Sequence, residues 1–162
     1  MTAKKKILIG IVSVFAIVNV LWGLNYLINY RPYMQKITDT GDLGYFEHDG
    51  YTFDISSYEY LSFEFNVSIS ENRYLNQDMK DISDVSADLI VWISPLGKKE
   101  YGVSFFYKET SDDGAEQNKG FDIMIDSNGK QLGQLSEQEQ KIFDSCAEKI
   151  EILLREYNEI WG

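Results

Sequence analysis

Reactive side chains are scarce in this chain: among 162 residues there is one cysteine, Cys146, and one histidine, His48. A single cysteine excludes an internal disulfide framework and a cysteine-based zinc site. A single histidine leaves too few bases or ligands for a serine triad, an HExxH zinc helix or a multi-histidine metal centre. There is no Gly-rich phosphate loop, nucleotide fingerprint or internal repeat. Asp126 to Lys130, "DSNGK", resembles part of a calcium loop. Setting Gly129 at loop position 6, however, puts Met124 at position 1, where a carboxylate is required, so the stretch reads as a turn. Glu47, His48 and Asp49 are neighbours that point to opposite faces of a strand, so they do not converge as a metal or acid–base cluster, and His48, in "FEHDG" beside a hairpin turn, reads as a turn residue. Sequence does not give the separation of a carboxylate pair and so leaves that hydrolase arrangement open. The reading is of a non-enzyme that needs no cofactor, no metal and no small-molecule substrate.

Charge is also missing from one long stretch. Ile7 to Tyr30 contains no ionised side chain, and as a helix it reaches about 36 Å against a hydrocarbon core of about 30 Å. A secretory leader has a shorter apolar core ending in a small-residue cleavage site, and neither feature is clear here, so an uncleaved anchor is expected. Lys4, Lys5 and Lys6 precede the run, whereas only Arg31 and Lys36 follow closely. The positive-inside bias then puts the N-terminus in the cytoplasm and the rest of the chain outside, as a single-pass protein of the cell membrane. Asn19 and Asn25 either contact a partner helix or are tolerated singly. Pro32 predicts that the helix ends near Tyr30, with Trp22, Tyr26, Tyr30 and Tyr33 at the outer interface. The expected division is a basic cytoplasmic tail over 1–6, an anchor over 7–30, a spacer over 31–42 and an extracytoplasmic domain over 43–162.

That domain is long enough for one core and too short for two. All 26 acidic residues lie beyond position 31, against 11 Lys and Arg, for a net charge of −15. This balance argues strongly against nucleic acid or an anionic membrane surface as the ligand. It suits a basic protein partner, and it equally suits a domain kept soluble by its surface.

Between Asp42 and Asp126, runs of aromatic and β-branched residues alternate with turn signals, predicting an antiparallel sheet of about six strands. "LGYFEH" and "YTFDIS" flank Asp49-Gly50, a hairpin signal. "YEYLSFEFNVSIS", Tyr58 to Ser70, is expected to be the longest strand, with Leu61, Phe63, Phe65, Val67 and Ile69 on the core face. "ADLIVWIS", "YGVSFFYK" and "FDIMID" repeat the alternation, the last two separated by the polar loop "ETSDDGAEQNKG". Leu75, Met79 and Ile82 suggest a short helix within Ser70 to Val85.

Ser136 to Glu139, "SEQE", is a capping box. Ile142, Phe143, Cys146, Ile150, Leu153, Tyr157 and Ile160 then recur at three- and four-residue steps, predicting one amphipathic helix of about six turns that covers one sheet face. Cys146 lies on the apolar stripe and reads as a small core residue. The fold class is therefore α+β: a curved antiparallel sheet with a C-terminal helix on one side, preceded by a transmembrane helix.

The other sheet face should carry Tyr60, Glu64, Asn66, Asp88, Trp92, Phe106, Asp122 and Met124. Large aromatics among carboxylates match the anchors and rim of a protein interface. Two readings of this face remain: a partner-binding surface, or a second small core covered by the 70–85 segment.

The lysine-led anchor, the six short strands and the ending "IDSNGKQLGQLSEQEQKIFDSCAEKIEILLREYNEIWG" together resemble the TipC-type immunity proteins. That resemblance implies a membrane-tethered, outward-facing domain that binds and blocks a toxin exported by type VII secretion and acting on lipid-linked cell-wall precursor. It also implies a crescent-like α+β fold whose concave sheet face meets the toxin. The alternative is a non-catalytic accessory or regulatory subunit of a membrane-associated secretion or envelope complex, with the span itself as an interaction element.

Overall fold

Phe53, Val67, Leu89, Val91 and Phe105 are fully buried, and each occupies the same side of its strand, as period-two alternation requires. The structure is a computed structural model that describes residues 2–38, 45–56, 60–61, 63–71, 85–110 and 114–162. Six strands form one curved antiparallel sheet in the order β1-β2-β3-β4-β5-β6. They are β1 (Tyr45–His48), β2 (Tyr51–Ile55), β3 (Phe65–Glu71), β4 (Ser86–Ile93), β5 (Lys99–Thr110) and β6 (Glu116–Ile125). Asp49 and Gly50 both hold positive φ, which closes the β1–β2 hairpin with the twist its strands need. The fold class is as expected from sequence.

Helices α3 (Glu137–Ser145) and α4 (Ala147–Trp161) cover the odd-numbered face, burying Phe143, Cys146, Ile150, Leu153, Leu154, Tyr157 and Trp161 against it. The capping box is present: Ser136 Oγ accepts from the Glu139 backbone, and the Glu139 carboxylate accepts from the Ser136 N–H at 2.8 Å. The single six-turn helix expected here is two. Cys146 leaves helical geometry (φ −100°, ψ 8°), and its N–H is shared between the carbonyls of Ile142 and Phe143. The break re-aims the apolar stripe so that both halves follow the curved sheet.

At the N-terminus, one continuous helical stretch runs from Ala3 to Ile37 and is long and apolar enough to cross a membrane. It consists of α1 (Ala3–Asn25), a π-helical turn over Tyr26–Tyr30, and α2 (Arg31–Thr38). The expected stop near Tyr30 and the spacer over 31–42 are thus corrected as far as Thr38; residues 39–44 lie outside the described residues. The π turn explains how Pro32 is admitted. The Arg31 N–H reaches back five residues to the Tyr26 carbonyl, which re-registers the ladder just before the ring that lacks a donor.

This extension belongs to the core. Ile37 is fully buried and Tyr30 nearly so; Tyr30 and Tyr33 stack edge-on against Phe65. Full burial of such side chains stabilises by about 1.5–3 kcal/mol each. Tyr30 and Tyr33 are therefore packed into the domain.

Two further expectations change. The strand expected from Tyr58 to be the longest starts at Phe65 and has seven residues, and the longest is β5 with 12: Tyr60 and Leu61 form a turn in which Leu61 holds φ +64° and is exposed. The polar stretch after Lys108 is partly strand, because β5 and β6 stay paired out to Thr110 and Glu116. Cross-strand partners override composition there, including an ion pair between Lys119 and Glu109. The short helix expected within 70–85 lies, apart from Ser70, Glu71 and Val85, outside the described residues.

Candidate functional site

The even-numbered face of β3 to β6 is turned away from the described helices. Strand register sets its rows. Ser86 of β4 pairs with Phe106 and Phe106 with Gly120; Asp88 pairs with Ser104 and Ser104 with Asp122; Ile90 pairs with Gly102 and Gly102 with Met124; Asn66 pairs with Trp92 and Trp92 with Glu100. Six of the eight predicted residues, Asn66, Asp88, Trp92, Phe106, Asp122 and Met124, thus share one surface. Trp92 and Phe106 are three rows apart, about 20 Å along the strands, with the Asp88–Ser104–Asp122 row between them.

The other two lie elsewhere. Glu64 is exposed in the extended stretch leading into β3. Tyr60 stands in the turn beside α1, where its hydroxyl donates to Asn19 Oδ1 at 2.6 Å and its ring meets Trp22 edge-on at 5.3 Å. Alternation alone placed Tyr60 on the face, and the turn at Leu61 interrupts that alternation.

Both large rings rest on glycines. A Cβ on Gly102 would stand 2.7 Å from Trp92 Cζ3, and one on Gly120 would stand 3.3 Å from Phe106 Cδ1. A glycine within a strand marks such a close approach, and this was the available signal for two site residues that alternation missed. Laid flat in this way, Trp92 is 38% exposed and Phe106 46%. An open depression of about 360 Å³ beside Phe106 is lined also by Asn118, Lys119, Gly120 and Asp122.

Chemically, the face presents two flat apolar platforms and a thioether around carboxylates, with Ser104 buried between Asp88 and Asp122. Such a surface suits recognition by packing and charge. Among the described residues no three carboxylate, imidazole or thiol groups gather as metal ligands. His48 lies 3.6 Å from the Asp49 carboxylate at the β1–β2 turn. The Asp126 carboxylate accepts the backbone N–H groups of Asn128 and Lys130, so it closes a turn.

The polar residues of the long helix also find partners within the chain. Asn25 Nδ2 donates to the Phe63 carbonyl at 2.9 Å, and Asn29 Nδ2 to the Pro95 carbonyl at 2.9 Å. Asn19 Nδ2 donates to the Phe15 carbonyl at 2.7 Å. The bonds of Asn25 and Asn29 fasten the helix to one end of the sheet.

No protein-family model matches this chain, and no curated protein or solved structure matches it.

Proposed function

We propose that this chain is a membrane-tethered immunity protein, whose even-numbered sheet face binds and neutralises an exported antibacterial protein toxin acting on lipid-linked cell-wall precursor. The observation that carries this reading is the seating of Trp92 and Phe106 on Gly102 and Gly120, partly exposed and flanking a carboxylate row. Interfaces concentrate their energy in flat aromatic anchors, while surrounding charge steers encounter and selects the partner. The chain's acidity calls for a partner with a basic face. In this reading Lys4, Lys5 and Lys6 keep the N-terminus in the cytoplasm and the domain stands outside, where it meets the toxin at its lipid-linked substrate. The protein acts by occlusion, without catalysis.

The rival reading, an accessory subunit of a membrane complex, drew on Asn19 and Asn25 as contacts for a partner helix. Both side chains bond within the chain, which removes that argument.

The test uses the full-length chain in nanodiscs to capture protein from supernatants of cells with type VII secretion. The expected result is one stoichiometric exported protein that kills cells lacking this chain and spares cells making it. Trp92→Ala with Asp122→Lys should weaken that capture by more than ~2 kcal/mol. Native capture by the folded double variant removes the face from the interface, and equal killing of cells that make the chain overturns the immunity function.

A further inference from the structure

Two turns at one end of the sheet carry apolar side chains that stay exposed among the described residues. Leu96, in the β4–β5 turn, is 96% exposed, and Leu61, in the β2–β3 connection, is 43% exposed. Because Phe65 pairs with Ile93, both turns lie at the same end of the sheet. It is the end that the long helix approaches, since Asn25 binds Phe63 and Asn29 binds Pro95.

The contacts also fix the level of these turns along the helix. Counting about 20 residues from Lys6 for a core of about 30 Å places the outer hydrocarbon boundary near Tyr26. Tyr60 touches Asn19 and Trp22, four to seven residues short of that boundary, or about 6–10 Å below it. Leu61 shares an open apolar groove with Ile11, Val14, Phe15 and Val18. Leu96 adjoins Pro95 at the level of Asn29, just above the boundary. Exposed Arg31 stands near the same level, as does Lys98, whose ammonium pairs with the Glu100 carboxylate at 2.6 Å.

We infer that the Tyr60–Leu61 turn and the Leu96 turn form a second membrane contact, seated in the outer leaflet, so that the sheet stands on the bilayer in a fixed orientation. This inference rests on the reading of α1 as a membrane span. The occupant of the surface is lipid: acyl chains against Leu61, and the interface against Tyr60 and Leu96. Asn19 then carries its polar group into the hydrocarbon already satisfied by the Tyr60 hydroxyl and the Phe15 carbonyl. The β1–β2 turn at Asp49 points away from the membrane, and the face bearing Trp92 stands upright beside it, open from the side.

The full-length chain is reconstituted in phosphatidylcholine–phosphatidylglycerol vesicles, with a spin label on Val14→Cys, Leu61→Cys, Leu96→Cys or Asp49→Cys. The unsubstituted chain, whose only thiol, Cys146, is buried, gives the labelling background. Accessibility to oxygen, which concentrates in lipid, is compared with accessibility to a water-soluble nickel chelate. The expected result is lipid-like accessibility at Val14 and Leu61, interfacial accessibility at Leu96, and chelate accessibility several-fold higher at Asp49 than at the two leucines. A label at Leu61 and Leu96 as accessible to chelate as at Asp49, with Val14 in lipid, overturns the second contact and leaves the anchor standing. Val14 in water overturns both.

Discussion

The hydroxyl of Tyr33 meets the hydroxyl of Tyr157 at 3.1 Å. This contact joins the helix that enters the domain to the helix that closes it, beneath the Lys99 ammonium, which lies 5.0 Å from the Tyr157 ring centre. The Trp161 indole N–H adds a second link, to the Tyr33 carbonyl at 3.4 Å.

The domain therefore depends on residues before position 38. A soluble form starting at Thr38 is expected to be less stable than one starting at Asn25 by several kcal/mol, because it lacks Tyr30, Tyr33 and Ile37. Ile37→Ala alone should cost about 2–5 kcal/mol. Urea unfolding of the three forms checks this, and equal midpoints would show that 25–37 is not part of the core.

Burial pushes the Tyr157 phenol up, and its bond to Tyr33 adds to the shift. The folded state then holds a proton that the unfolded state releases above about pH 10. Stability is fully present below that pH and declines as the pH rises past it. Tyr157→Phe should flatten the alkaline limb of the melting temperature against pH; an unchanged slope would assign the alkaline loss to other groups.

The Ser136 hydroxyl holds the Glu139 carboxyl below its ordinary value, with the hydrogen bond from the Ser136 backbone acting in the same direction. Its contribution is present above the ordinary carboxylate pKa and is lost as the pH falls through the lowered one. Glu139→Gln keeps the reach-back bond without the titration. The variant should therefore lose less melting temperature than the wild type on acidification, while Ser136→Ala should lower it at neutral pH.

Gly102→Ala should displace the Trp92 ring and destabilise the chain by about 1–3 kcal/mol. In a Trp92→Ala background the same substitution should cost less, since the ring it meets is gone. A double-mutant cycle by urea unfolding measures this coupling. Additive effects would show that the indole does not rest on Gly102 in solution.

Much of this protein is written locally. The uncharged run after Lys6, the alternation in β4 and β6, the Asp49-Gly50 hairpin and the Ser136–Glu139 capping box each depend on residues a few positions apart, and each was legible in the sequence. Six of the eight face residues were equally legible, because strand alternation needs no knowledge of partners. Tyr60 was misplaced because the turn at Leu61 is set by contact with α1, some 40 residues away in the chain.

What the sequence determined, then, is the set of elements and the apolar side of each, since hydrophobic period and capping chemistry act over one or two turns of chain. What the tertiary structure decided is how those elements meet. It made 31–38 a core helix despite Pro32, broke the C-terminal helix at Cys146, laid Trp92 and Phe106 on glycines, and brought Tyr60 against Asn19. These outcomes depend on contacts such as Tyr33 with Tyr157, which are 124 residues apart, and a local pattern carries no record of which distant surface will be there to meet it.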